Sequence, residues 1–342
     1  MAPAVIRDIG LACFRRAGVS PGMSRLVVES LVVTSLRGVD SHGIRLIPHY
    51  VRAIMLGRVN MAPRLRFHKT LPGTGILEAD NALGIIAGTR AMEEAIRMGN
   101  NVGMGAVAVA HSSHFGAAGL YTIKAAKRGM IGFACTHVEA LVLPPNGKKP
   151  FLGTNAISIA VPCAGEDPIC LDMATTTMTL NKLMMYRAAH KKIPEGLVAD
   201  KNGRMTTDPT RAVYLTHFGS YKGYGFAFMV DMFSSMLSGM PWGPHLTPMF
   251  PLTGDKRNLG HFFWAINIKG FQKLETFKRR MRKMADELRT IPSVTGDSVM
   301  VPGDPEKHEY DKRIKSNRIP IPQADYASLC AVAKELGVTI DN

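Results

Sequence analysis

Two histidine-bearing runs are the parts of this chain best suited to chemistry. Arg37-Gly38-Val39-Asp40-Ser41-His42-Gly43 and Ala110-His111-Ser112-Ser113-His114-Phe115-Gly116-Ala117-Ala118-Gly119 each set an imidazole among small residues at the end of an apolar segment. Small residues let the backbone approach a bound molecule closely. A neutral imidazole accepts a proton and its conjugate acid returns it near neutral pH, so the pair points to acid–base chemistry and to an enzyme. A metal reading would take His111, His114 and His137. No carboxylate or cysteine completes a plausible site with them, so no metal is expected.

The elements that must position these runs are helical at both ends of the chain. Ser20 and Pro21 start a helix as capping serine and first-turn proline, apolar spacing carries it to Leu36, and Gly38 ends it. Asp40, Ser41, His42 and Gly43 then fall in a junction before helical residues 44–55. Asp80 or Asn81 is expected to cap a helix that reaches Met98 and closes at Gly99, Asn100 and Asn101. Short apolar runs at 106–110, 131–135, 156–161 and 169–173 read as strands, punctuated by Pro144-Pro145-Asn146-Gly147 and Gly153-Thr154-Asn155. Helices return at 224–237, 273–289 and 324–336. The expected architecture is mixed α/β, with residues 1–104 plus 288–342 as a helical unit around a sheet-rich unit at 105–287. Strand–helix alternation is irregular. Gly103-Met104-Gly105 lacks the third glycine of a dinucleotide fingerprint and Gly223-Tyr224-Gly225 is a lone pair, which argues against a doubly wound nucleotide fold.

Composition narrows the class. The chain has 342 residues, 46% hydrophobic and 20% charged, enough for a substantial core and unlike a disordered or fibrous sequence. Its net charge is +15, yet the densest basic run, Lys278-Arg279-Arg280-Met281-Arg282-Lys283, lies on a helical stretch followed by Asp286 and Glu287 and reads as a solvated face. No aromatic ladder or recognition helix accompanies it, so nucleic acid is not the expected partner. The positive field suits a small anionic substrate and a phosphate-bearing cofactor. Cys13, Cys135, Cys163, Cys170 and Cys330 are odd in number, lack metal spacing and read as reduced thiols of a cytoplasmic protein. No apolar stretch is long enough for a membrane helix. The basic start, with Asp8 as its only acid up to Gly18, is compatible with an organellar targeting helix, although an amphipathic first helix of the fold is preferred.

With these motifs in order, the chain resembles the type-2 malate/L-lactate dehydrogenase family, which includes sulfolactate and ureidoglycolate dehydrogenases and cyclic-imine reductases. The resemblance runs from the Arg37–Gly43 motif through His114-Phe115-Gly116, Leu152-Gly153-Thr154-Asn155, Leu171-Asp172-Met173-Ala174-Thr175, Lys222-Gly223-Tyr224-Gly225 and Pro302-Gly303-Asp304 to Arg318-Ile319-Pro320-Ile321. It implies a non-Rossmann fold, usually homodimeric, that binds NAD or NADP and moves a hydride to or from a small 2-hydroxyacid of the malate or lactate class. It also implies roles. His42 is the acid–base group, Ser41 orients it, and His114 is either a second acid–base candidate or a cofactor contact. Phe115, Gly116, Ala117, Ala118, Asp172, Met173, Ala174, Lys222, Gly223, Pro302, Gly303 and Asp304 follow the cofactor, the last three in a late loop. Thr154 and Asn181 contact substrate. Lys182 is expected to lower the His42 pKa and attract a carboxylate.

Three departures bear on the substrate. The family's usual arginine four residues after the motif histidine is Leu46 here, leaving Arg45 to grip a carboxylate from one position earlier. Asn181 replaces a common glycine, and residues 214–220 are short and lack paired glycines before Lys222. They motivate two alternatives: a reductase of bulkier or aromatic 2-oxoacids favoured by Leu46, or a binding protein that has lost turnover.

Overall fold

The computed structural model describes residues 1–340, the side chain of Asn181 excepted. The N-terminal helices are α1 (Pro3–Arg16), α2 (Pro21–Leu36) and α3 (Ile47–Met55), followed by the hairpin β1 (Arg66–Leu71) and β2 (Thr74–Glu78). Then come α4 (Gly84–Val102), β3 (Met104–Ser112), α5 (Gly119–Lys127), β4 (Met130–Thr136), β5 (Ile157–Val161) and β6 (Ile169–Met173). After α6 (Leu180–Ala188), β7 (Val198–Ala199) and β8 (Tyr214–Leu215), α7 (Tyr221–Asp231) continues into a π-helical turn at Met232–Met236. The chain ends with β9 (Leu259–Asn267), α8 (Leu274–Arg289), α9 (Asp304–Ser316) and α10 (Gln323–Glu335).

Seven strands form one sheet in the order β1-β2-β3-β9-β4-β5-β6, in which only β2 and β3 run parallel. This mixed order, flanked by helices, is not a Rossmann sheet. All four strands expected from the sequence are present. The central strand, β9, had no such expectation. Its side chains are buried on both faces: Phe263 joins the main helical core, while Phe262 packs with Ala108, Cys135, Ile157 and Val230 on the other side. A strand covered on both faces loses the alternation that advertises strands. The pairing of β2 with β3 also crosses the proposed boundary at residue 104.

Local chemistry explains where helices start and stop. Ser20 Oγ accepts the Met23 N–H at 3.4 Å, and Pro21 occupies the first turn of α2, as the sequence leads one to expect. The capping expected of Asp80 and Asn81 is corrected: both take left-handed turns, with φ of 50° and 58°, and Leu83 precedes α4. The end expected at Gly99 is corrected too. The helix runs on to Val102 and stops at Gly103, whose φ is 90°. Gly99 is small because a Cβ there would lie 3.3 Å from the Ala265 carbonyl oxygen of β9. The late loop is partly helical: Gly303, φ 93°, precedes α9, and Asp304, Pro305 and Glu306 form its first turn. Acids there favour the helix dipole.

Candidate active site

His42 sits on a single 3-10 turn, Asp40–His42, between α2 and α3. Two contacts fix that turn. Asp40 takes a two-pronged ion pair from Arg313 of α9, at 2.6 and 2.9 Å. Gly43 packs against buried Ser35: a Cβ at Gly43 would lie 2.0 Å from Ser35 Oγ, which accepts the Ile44 N–H at 3.0 Å. The glycine is therefore a packing requirement. It lets α2 and the histidine turn touch.

His114 reaches the same place from the loop between β3 and α5. The first turn of α4 presses on this loop, since a Cβ at Gly84 would lie 2.3 Å from the Ser113 carbonyl oxygen. Next to it, Phe115 is buried and stacks on His261 of β9, ring centroids 4.7 Å apart. The Tyr121 hydroxyl donates to the Phe115 carbonyl. His261 is itself held by Thr136 Oγ1 at 2.7 Å and Ser112 Oγ at 2.9 Å. Burial, then the charge of His137, depresses its pKa to about 3, so it is a neutral structural ring.

The two imidazoles meet. His42 and His114 stack with ring centroids 5.5 Å apart and planes 23° from parallel. Ser41 Oγ shares a hydrogen bond with His42 Nδ1 at 2.8 Å, and the Tyr50 hydroxyl shares one with His114 Nδ1 at 2.7 Å. Tyr50 is buried, which raises its phenol pKa well above the ordinary value and keeps it a donor. A donating Tyr50 leaves the His114 proton on Nε2. Burial, then the charge of Arg45, lowers the His42 pKa to about 4. Burial and then the His42 charge push His114 well below the ordinary histidine value. Both rings are neutral at pH 7; His42 can accept a proton, while His114 presents an Nε2–H.

A cavity of about 840 Å³ opens between α2, α5 and α9, and neither His42 nor His114 is among its walls. Val39, Ala117, Gly119, Asp172, Asp304 and Glu306 are among its walls. The Gly119 N–H at the start of α5 donates to Asp172 Oδ2 at 2.7 Å, and a Cβ on Gly119 would lie 2.9 Å from that oxygen. Burial raises the Asp172 pKa to about 6. Asp304 is tied to Arg289 at 2.7 and 2.9 Å. Arg289 also grips Glu166, which takes Lys307 at 2.7 Å. Against the cost of burial, the hydrogen bonds from Arg289 and Lys307 hold Glu166 down at about 2. The cavity is large enough for a small ligand and offers small residues, free backbone approach and paired charges.

Other expected site residues lie elsewhere in the chain's contacts. The Thr154 carbonyl accepts the Thr175 N–H at 2.9 Å, beside the Asp172, Met173 and Ala174 segment. Lys222 is exposed on the first turn of α7, and Gly223 is obligatory there because a Cβ would lie 2.0 Å from the Phe218 carbonyl oxygen. Pro302 is exposed and Gly303 lies against Cys170. Lys182 is exposed on α6, and the lowering of the His42 pKa comes from burial and Arg45 instead. The Asn181 side chain lies outside the described residues. Arg45 pairs with Asp325 at 3.6 Å, and Leu46 is buried in the helical core. Among the described residues no group of three or more metal-binding side chains converges.

Sequence reading missed Tyr50, His49, His261, Arg58, Arg257 and Glu139. Tyr50 lies within the helix expected at 44–55, facing His114. The others are single residues without a motif, and only tertiary packing groups them.

Comparison with known proteins identifies the family. The sequence profile of the malate/L-lactate dehydrogenase family matches residues 1–330. The chain is 35% identical to a malate dehydrogenase of Pyrococcus abyssi over 327 residues, 92% of this chain and 89% of that protein. It is 33% identical to a ureidoglycolate dehydrogenase (NAD(+)) of Escherichia coli over 289 residues, 84% of this chain and 83% of that one. The solved sulfolactate dehydrogenase from Methanocaldococcus jannaschii superposes with a TM-score of 0.93 at 33% identity, covering 99% of this chain and 98% of that one. The chain belongs to the malate/L-lactate dehydrogenase family of NAD(P)-dependent oxidoreductases acting on small 2-hydroxy and 2-oxo acids.

Proposed function

We propose that this protein transfers a hydride between NAD or NADP and a small 2-hydroxyacid or 2-oxoacid of the malate or lactate class, with His42 as its acid–base group. The observation that carries the reading is the neutral His42–His114 stack, each ring held by its own hydroxyl. The dinucleotide, when bound, supplies the carbon centre that takes or gives the hydride. In oxidation, neutral His42 accepts the hydroxyl proton; in reduction, its imidazolium returns that proton to the developing alkoxide. Ser41 fixes the ring through Nδ1. Tyr50 orients His114, whose Nε2–H is suited to donate to the substrate oxygen. The residues present fit the cofactor. Gly116, Ala117, Ala118 and Gly119 give it close backbone approach, and Asp172 offers a carboxylate to hydroxyl donors in the cavity.

Relatives support the class. The proteins of P. abyssi and M. jannaschii are named as malate and L-sulfolactate dehydrogenases, both of which act on 2-hydroxyacids. Leu46 gives the bulky-substrate alternative no support, because its side chain is packed in the core. A binding protein would need no paired imidazoles held by separate hydroxyls. We further propose a homodimer that covers exposed Tyr221, Met229, Met236 and Leu237 on and beyond α7, in the cytoplasm. No described helix is long and apolar enough to cross a membrane. The test is oxidation of NADH and NADPH with oxaloacetate, pyruvate, phenylpyruvate and a cyclic imine. Fastest turnover of oxaloacetate or pyruvate is expected; turnover of the cyclic imine alone overturns the reading.

A further inference from the structure

An anionic substrate needs a cation near the reacting carbon, and the one nearest in sequence to His42 does not offer itself freely. Arg45 is half-exposed and paired with Asp325, and position 46 is leucine. A buried cationic cluster lies on the other side of Tyr50 and His114. Arg257 and Arg58 are 2% and 1% exposed, and the half-buried acid beside them is Glu139, which pairs with Arg257. Glu139 also accepts the Met249 N–H at 2.9 Å, while Arg257 Nε donates to the Thr247 carbonyl at 3.2 Å. Arg58 donates to the carbonyls of Pro248 and Met249. Asp255 is exposed and turned to Thr253 at 3.0 Å. Two guanidiniums therefore share the half-buried Glu139 carboxylate, with the exposed Asp255 charge also acting on Arg58, and two of their nitrogens, Arg257 Nη1 and Arg58 Nε, are buried without any partner.

Leaving a charged donor buried and unbonded is costly unless a ligand completes it. The cluster adjoins the histidine pair. The Phe250 ring, next to Met249, packs on His49 with centroids 5.1 Å apart, and His49 precedes Tyr50, which bonds His114. The Arg257 charge acts on His49 and Tyr50 and, after burial and the charge of His42, on His114. We infer that Arg257 is the specificity residue for the substrate carboxylate, its free Nη1 completing the cluster with a monoanion. The inference rests on the 2-oxoacid reading above and names the group that recognises the acid.

The test uses the neutral pair Arg257→Gln with Glu139→Gln, which avoids stranding Glu139, and Arg257→Lys, which keeps the charge without the planar fork. The probes are pyruvate, its uncharged methyl ester, and oxamate as an unreactive anion. With the double variant, kcat/KM for pyruvate should fall by about 10- to 100-fold, as for loss of a charged hydrogen bond, and methyl pyruvate should change far less. Oxamate binding, measured by calorimetry with and without NADH, should weaken by a similar factor, with Arg257→Lys between the two. Equal losses on pyruvate and its ester, or unchanged oxamate affinity in a folded variant, overturn the assignment. If the double variant does not fold, Arg257→Lys decides: full oxamate affinity and pyruvate turnover overturn it. A protein inactive on every 2-oxoacid fails the parent reading alone. Oxamate binding lost in the variants still supports the anion site, and no oxamate binding by the unsubstituted protein overturns it.

Discussion

The imidazole of His42 lies flat against that of His114, centroids 5.5 Å apart, although 71 residues of chain separate them. Each ring has its own hydroxyl partner, Ser41 for one and Tyr50 for the other. The arrangement predicts different consequences for each. Removing His42 as Ala should cost about 10²- to 10⁴-fold in kcat with cofactor binding retained, the range for a positioned acid–base group. Steady-state kinetics with a cofactor-binding titration separates the two; unchanged kcat would remove His42 from the chemistry.

Tyr50→Phe deletes the hydroxyl that bonds His114 Nδ1 and leaves a buried ring nitrogen unpaired. A stability loss of about 1–3 kcal/mol is expected from chemical denaturation, together with lower kcat. A variant as stable and active as the parent would show that the hydrogen bond positions nothing.

The pH profile of 2-hydroxyacid oxidation should look unlike that of an exposed histidine. Neutral His42 is the working form, and its pKa is about 4 in the folded chain. Activity should therefore hold as pH falls through the ordinary histidine range near about 6.5. It should drop only as pH approaches 4. With cofactor and substrate saturating, so that the Asp172 carboxyl raised to about 6 does not limit binding, an inflection near the ordinary histidine value in kcat would contradict the neutral stack.

The same depressed groups govern acid stability. His42, His49 and His261 have folded pKa values of about 4, 4 and 3, below that of the unfolded chain. The unfolded state therefore takes up protons first as the solution is acidified. Their contribution is complete above about pH 6.5 and falls by up to about 1.4 kcal/mol per pH unit for each histidine as pH drops towards the folded values. Asp172, raised to about 6, opposes this weakly because its folded form gains the proton. Thermal unfolding between pH 7 and pH 5 should show a falling Tm, and a flat or rising Tm would show that these rings are not buried neutral.

Gly43→Ala should destabilise the protein by about 1–3 kcal/mol, the cost of overpacking. The new Cβ would meet Ser35 Oγ at 2.0 Å. Removing that oxygen as Ser35→Ala should recover part of the loss in a double-mutant cycle. Additive effects would mean that the two residues do not press on each other.

Local signals announced much of the architecture. Capping serine, first-turn proline and apolar spacing defined α2, and short apolar runs bounded by turn residues marked β3, β4, β5 and β6. The histidine motifs were visible because small residues around an imidazole are an unusual local pattern. Gly99 misled because a glycine needed for close contact with β9 looks, in one dimension, like a glycine that ends a helix.

By itself, the sequence determined a helical N-terminal segment, a strand-rich middle, a chain without a dinucleotide fingerprint, and two histidines suited to proton transfer. Tertiary structure decided that the two histidines touch, that Tyr50 serves one of them, and that β9 runs through the centre of the sheet. It also decided that Arg45 is taken by Asp325 while Arg257 keeps a nitrogen free. The division has one physical cause. Propensity, capping and turn chemistry act between neighbours along the chain, whereas burial, charge and hydrogen-bond pairing depend on residues that only folding brings together.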